Sequence, residues 1–134
     1  DQTEVLGVDG CEFTDTRAPE KGVRTWTGSY AVREAGSKIY QVTKREYVLM
    51  DHGLNRAIAV VSRGNARLVV WNPGEESADQ VAAFGVDGWR HFVCVEPCST
   101  PDEAGYDLKP GESHDLLMAV QSVPNDGSVH ARHP

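Results

Sequence analysis

Short apolar-rich runs alternate with turn signals along most of the chain, and few runs are long enough for a helix. "EVLGV" is followed by Asp9 and Gly10 and then by "CEFTD"; "VRTWTGSY", "KIYQVT" and "EYVLM" come next. Their β-branched and aromatic residues suit strands. "AIAVVS" and "RLVVW" flank "RGNA", which predicts a hairpin with Gly64 and Asn65 in the turn. "HFVCVE" carries a continuous apolar run, Phe92 to Val95, and predicts a strand buried on both faces. "YDL" and "HDLLMAV" flank "KPGES", where Pro110 and Gly111 suit the second and third positions of a type II turn. Short strands at this spacing predict an all-β chain, an antiparallel sandwich or barrel.

One segment departs from the two-residue period. Asn72 can cap a helix, Pro73 suits its first position, and Glu75 can complete a capping box. Ala78, Val81 and Ala82 then share a face at helical spacing, which predicts one short helix over 73–84, ended by Gly85. The stretch 124–134 shows no periodicity and reads as a flexible tail. No repeat or linker divides the rest, so residues 1–123 are expected to form part of a single fold.

Composition narrows the function. The 134 residues carry a formal net charge of −7, against the basic footprint that nucleic-acid binding needs. No apolar run reaches membrane-spanning length, so no membrane partner is expected. The three cysteines, Cys11, Cys94 and Cys98, are unevenly spaced and read as reduced thiols of a cytoplasmic protein. Neither they nor His52, His91, His114, His130 and His133 show metal-ligand spacing, and no metal is expected. "GVDG" has neither a Walker lysine nor a G-x-G-x-x-G pattern to make it a phosphate loop. The chain opens at Asp1 without a methionine and reads as processed or as a piece of something longer.

Glu96 is the leading chemical candidate. It ends the apolar run, on the strand face of Phe92 and Cys94. Apolar neighbours would raise its pKa toward the range of a general base, and Pro97 would end the ladder and turn the side chain to a cleft. The alternative is a strand-end glutamate paired with an arginine. Asp15 ends another strand and can accept hydrogen bonds there. Trp71 can floor a sugar site or fill the core. His91 should point away from Glu96, and His114 should be exposed.

"VVWNP" at 69–73, "FVCVEP" at 92–97 and "LKPGES" at 108–113 together resemble the C-terminal half of the D-hexose-6-phosphate mutarotases, the glucose-6-phosphate 1-epimerases of the aldose 1-epimerase superfamily. "CEFTD" at 11–15 and "KIYQV" at 38–42 fit upstream. The resemblance covers nearly all of 4–123. It implies the galactose-mutarotase type of antiparallel β-sandwich and interconversion of the α and β anomers of a hexose 6-phosphate, without metal or organic cofactor. It assigns the general base to Glu96 and a sugar contact to the position of Ser37; Trp71 and Asp15 stand beside them as candidate substrate-binding residues. Ser37 stands where the family carries an aspartate, and Ala83 where it often carries an acid. The family's catalytic histidine and phosphate-binding arginines belong to an N-terminal half that this chain lacks. The chain alone is therefore expected to be inactive, and to self-associate or pair with that half. A non-catalytic carbohydrate-binding protein or β-sandwich interaction module is the competing expectation.

Overall fold

The computed structural model describes residues 3–32, 35–77, 83, 85, 87–99 and 105–125. Its strands are β1 (Thr3–Leu6), β2 (Glu12–Asp15), β3 (Arg24–Thr25), β4 (Tyr30–Ala31), β5 (Gly36–Gln41), β6 (Glu46–Asp51), β7 (Arg56–Arg63), β8 (Arg67–Asn72), β9 (Cys94–Cys98) and β10 (Leu117–Val123). They form two five-stranded sheets, ordered β10-β7-β6-β1-β4 and β3-β2-β5-β8-β9. Every pairing is antiparallel. Successive strands often belong to different sheets, so the chain passes repeatedly from one layer to the other.

Alternation along each strand sets the core. Val5, Tyr30 and Tyr47 of the first sheet meet Phe13, Tyr40, Leu68 and Val70 of the second, with Val8 and Cys11 between them. Trp26 meets Phe13 and Tyr30 edge-on at 5.1 and 5.3 Å between centroids, a favourable arrangement for ring quadrupoles. Leu6, Val48, Met50 and Ala57 form a second cluster on the other face of the first sheet.

Several sequence expectations change here. "RGNA" does not close a hairpin: β7 and β8 lie in different sheets, and the segment is a crossover. Gly64 still has a steric role there. Its φ is +78°, and a Cβ would stand 2.0 Å from the Asp115 carbonyl oxygen, which only glycine avoids. The hairpin is instead β6–β7, around residues 52–55. "VRTWTGSY" is two strands of different sheets, because Trp26 turns inward and the chain crosses between layers. The strand of "HFVCVE" begins at Cys94; Phe92 and Val93 precede it, and His91 closes a 3-10 turn, Gly88–His91. That strand is half-buried because it is an edge, with β8 on one side only. Pro97 does not end the ladder: it pairs with Leu68, and Cys98 pairs with Arg67 beyond it. An edge strand tolerates a proline whose missing N–H faces outward.

"YDL" is not a strand, but the turn after it fits. Glu112 N–H donates to the Lys109 carbonyl at 2.9 Å, and Gly111 has the positive φ of +88° that a type II turn needs at that position. Of the helix expected over 73–84, residues 75–77 form a 3-10 turn, and most of the remainder lies outside the described residues. Asn72 does cap: its Oδ1 accepts the Gly74 N–H at 2.8 Å. Its Nδ2 donates to the Trp89 and Phe92 carbonyls at 2.8 and 2.7 Å. It thereby ties the end of β8 to the approach to β9. The expected tail is described only as far as Asn125.

Candidate active site

Register places the candidate residues on the faces of the β3-β2-β5-β8-β9 sheet. Ser37 pairs with Trp71, and Trp71 with Cys94. One row along, Ile39 pairs with Val69, and Val69 with Glu96. Directly opposed residues share a face, so Ser37, Trp71, Cys94 and Glu96 occupy one side of the sheet. It is the side turned away from Tyr40, Leu68 and Val70 in the core.

Glu96 is exposed, so its carboxylate faces solvent rather than the apolar surroundings that the sequence suggested. It stands at the sheet edge with Trp71 on the neighbouring strand, and Phe92 packs on Trp71 at 5.9 Å between centroids. Cys94, two residues before Glu96, is its close polar neighbour. Burial, the Glu96 charge and a hydrogen bond to Glu96 all push the Cys94 thiol up. The two-residue period of "FVCVE" already put Phe92 and Cys94 on the face of Glu96, but the sequence reading gave neither a role in the site. Ser37 is fixed through its backbone: its N–H donates to the Thr16 hydroxyl at 3.0 Å, and its carbonyl accepts the Thr16 N–H at 3.0 Å.

Asp15 is not brought to this group. It pairs with Lys38, whose row runs on through Val70 and Val95 on the core side. Lys38 Nζ is 2.8 Å from Asp15 Oδ2, and Arg24 Nη2 is 3.6 Å away. Burial alone would raise the Asp15 carboxyl; the Lys38 and Arg17 hydrogen bonds, with the Lys38 and Arg24 charges, outweigh it and hold it below the ordinary range. Lys38 is 4% exposed and engaged with Asp15, so it is not presented to an anion on the Glu96 side.

The three described histidines are dispersed. His52 bonds Glu4 at 2.8 Å on the other sheet. His114 is half-buried rather than exposed, because its ring stacks on Tyr106 at 3.6 Å and bonds the Gly64 carbonyl at 2.5 Å. His91 lines a cleft of about 790 Å³ together with Arg56, Trp89, Arg90 and Phe92. Among the described residues no group of histidines, cysteines and acids could hold a metal ion, and no helix is long and apolar enough to cross a membrane.

Comparison with known proteins identifies the family. Residues 2–121 match the Aldose 1-epimerase family. A "putative glucose-6-phosphate 1-epimerase" of Cenchrus ciliaris is 24% identical over 92% of this chain and 37% of its own length. A protein of the same name from Escherichia coli is 41% identical over 37% of this chain and 17% of its own length. A crystal structure of a "putative mutarotase" from Salmonella typhimurium superposes with a TM-score of 0.62 and 32% identity, over 70% of this chain and 32% of that one. The chain thus spans about a third of the plant relative's length. The family match, together with the shared antiparallel fold, makes this chain a member of the aldose 1-epimerase family.

Proposed function

We propose that the chain belongs to a hexose-6-phosphate 1-epimerase that interconverts α and β anomers, with Glu96 as the general base. The observation that carries the reading is an exposed carboxylate at the sheet edge, on the face of Trp71 and Ser37, in a chain of this family. Trp71 offers an aromatic surface to the apolar side of a pyranose, and Ser37 offers a hydroxyl to a sugar oxygen.

The chemistry is a proton exchange around a ring opening. Glu96 takes the proton from the anomeric O1–H, and an acid delivers a proton to the ring oxygen. The bond from C1 to the ring oxygen breaks as the C1 carbonyl forms. Rotation about C1–C2 presents the other face, and the reverse transfers close the ring. The acid and the cations that hold the phosphate are assigned to the part of the family's fold outside these residues. Proton transfers to and from O1 and the ring oxygen drive the opening and closing of the C1–O bond, with no net oxidation or reduction, so the mechanism calls on no metal or organic cofactor.

The test is anomer exchange on glucose 6-phosphate, followed by NMR against the spontaneous rate, in a protein of full family length. Glu96→Gln should slow exchange by roughly 10²–10⁴-fold. A variant as fast as its parent removes Glu96 from the mechanism. The second reading is non-catalytic carbohydrate binding, which a neutral Ser37 at a contact position favours. Saturable sugar binding without any exchange above background would select it.

A further inference from the structure

Asn72 is a polar residue in a buried place. It closes β8 at 5% exposure, and the β8–β9 ladder stops one residue before it, at Trp71 and Cys94. The next rung would join Asn72 to Val93, which stands outside β9. The Asn72 side chain takes the place of that rung. Its Nδ2 donates to the Trp89 and Phe92 carbonyls at 2.8 and 2.7 Å, and its Oδ1 accepts the Gly74 N–H at 2.8 Å. A side-chain amide has two donor protons, and these bonds use both. All three partners lie within this chain, so the contacts do not depend on residues outside it. Phe92 is extended, with φ −147° and ψ 162°, and Val93 after it packs toward the core. Alternation then turns the Phe92 ring to the face of Cys94 and Glu96, where it lies 5.9 Å from the Trp71 ring, tilted by 53°.

We infer that Asn72 is a positioning residue for sugar binding. By holding the Phe92 carbonyl ahead of the first rung, it sets the Phe92 ring against Trp71 and so fixes the Trp71 surface relative to Glu96 and Ser37. The inference rests on the sugar site proposed above and assigns Asn72 a part in binding rather than in proton transfer. Asn72 acts through Phe92 and Trp71, and no proton passes through it. Trp71 meets the apolar side of the pyranose, which changes little as the ring opens at C1. Its displacement should therefore weaken ground state and transition state together, raising KM and sparing kcat.

The test is anomer exchange on glucose 6-phosphate in a protein of full family length. Asn72→Asp keeps an oxygen for the Gly74 N–H and loses both donors. It should raise KM about tenfold and leave kcat within about twofold. Asn72→Ser, which is neutral, should act in the same direction and replaces it if the buried carboxylate prevents folding, checked by near-ultraviolet circular dichroism. Phe92→Leu should raise KM comparably, and adding Asn72→Asp to it should change KM by less than about twofold, because residues that act through one contact do not add. An asparagine that only stabilises the fold would lower the unfolding midpoint without this KM pattern. A second readout is independent of activity: nuclear Overhauser contacts between the Trp71 and Phe92 rings should weaken in the Asn72 variant, while those of Trp26 with Phe13 and Tyr30 persist. An unchanged KM, fully additive effects of Asn72→Asp and Phe92→Leu, or an intact contact between the Trp71 and Phe92 rings would overturn the inference. A parent with no exchange above background would sink the proposed function instead, and the ring contacts alone would then decide whether Asn72 holds Phe92 against Trp71.

Discussion

Replacing Asp15 by asparagine should destabilise the fold by about 3 kcal/mol. The Lys38 and Asp15 side chains are 5% and 11% exposed, with Nζ and Oδ2 2.8 Å apart. Removing one partner of a buried pair costs about 3–5 kcal/mol, chiefly because the remaining charge loses its ion pair while staying buried. The lower end applies, since asparagine keeps the shape and its amide oxygen can still accept the Arg17 N–H, now 3.0 Å from Oδ1. Arg24, 37% exposed, can turn to water. With about 4 °C per kcal/mol for a chain of this size, Tm should fall by about 12 °C. Thermal and urea unfolding followed by circular dichroism measure both quantities. The pH dependence has a fixed sign. Asp15 is depressed in the fold, so its contribution is fully present above the unfolded carboxyl value of about 3.9. It is lost as pH falls through the lower folded value, and parent and variant should converge there. Adding Lys38→Met to Asp15→Asn should recover most of the loss, since methionine leaves no buried charge to compensate. The reasoning fails if Asp15→Asn costs under 0.5 kcal/mol, or if the double variant is no more stable than the single one.

Three other perturbations probe the Glu96 side of the sheet and its support. Ser37→Asp, in a protein of full family length, should add a charge-assisted hydrogen bond worth about 1.5–3 kcal/mol, tightening glucose 6-phosphate binding roughly tenfold or more by calorimetry; unchanged or weaker binding counts against Ser37 as a sugar contact. Asn72→Ala removes three hydrogen bonds at the junction of β8 and the approach to β9, and at about 1 kcal/mol each should lower stability by about 2–3 kcal/mol in urea unfolding. Because the Glu96 charge and hydrogen bond help push the Cys94 thiol up, Glu96→Gln should let Cys94 react with iodoacetamide at lower pH, read by peptide mass spectrometry; an unshifted profile would separate the two groups.

What the sequence made legible followed local rules. The two-residue period of "EYVLM" and "RLVVW" located strands, and Pro110 with Gly111 specified a turn by φ alone. What it hid was partnership. Gly64 and Asn65 bend the chain equally well into a hairpin or a crossover, and the choice depends on which sheet receives each strand. The face of Glu96 could be counted from Phe92, but its place at a strand end could not, because the ladder runs on through Pro97 to Cys98. Its exposure could not, because burial depends on whether β9 is central or an edge. Asp15 shows the same limit. A carboxylate at the end of "CEFTD" suits a ligand or a buried ion pair, and only the register with Lys38 decides where its side chain is held.

The repeated passage between layers has a kinetic consequence. The chain changes sheet at β1–β2, β3–β4, β4–β5, β5–β6, β7–β8 and β9–β10. Neither sheet can therefore be completed from one continuous stretch. The β3-β2-β5-β8-β9 sheet waits for Cys98, and its neighbour waits for Leu117 to reach back to Arg63. Such non-local closures carry their loop entropy before any contact repays it, which places the fold among the slow-forming β topologies. During synthesis, β7 would have to emerge and remain without β10 until the segment from Leu117 to Val123 had followed it out of the ribosome. Its uncovered edge in that interval makes the nascent chain most prone to aggregate at Arg56–Arg63, a segment that the finished structure holds between two neighbours.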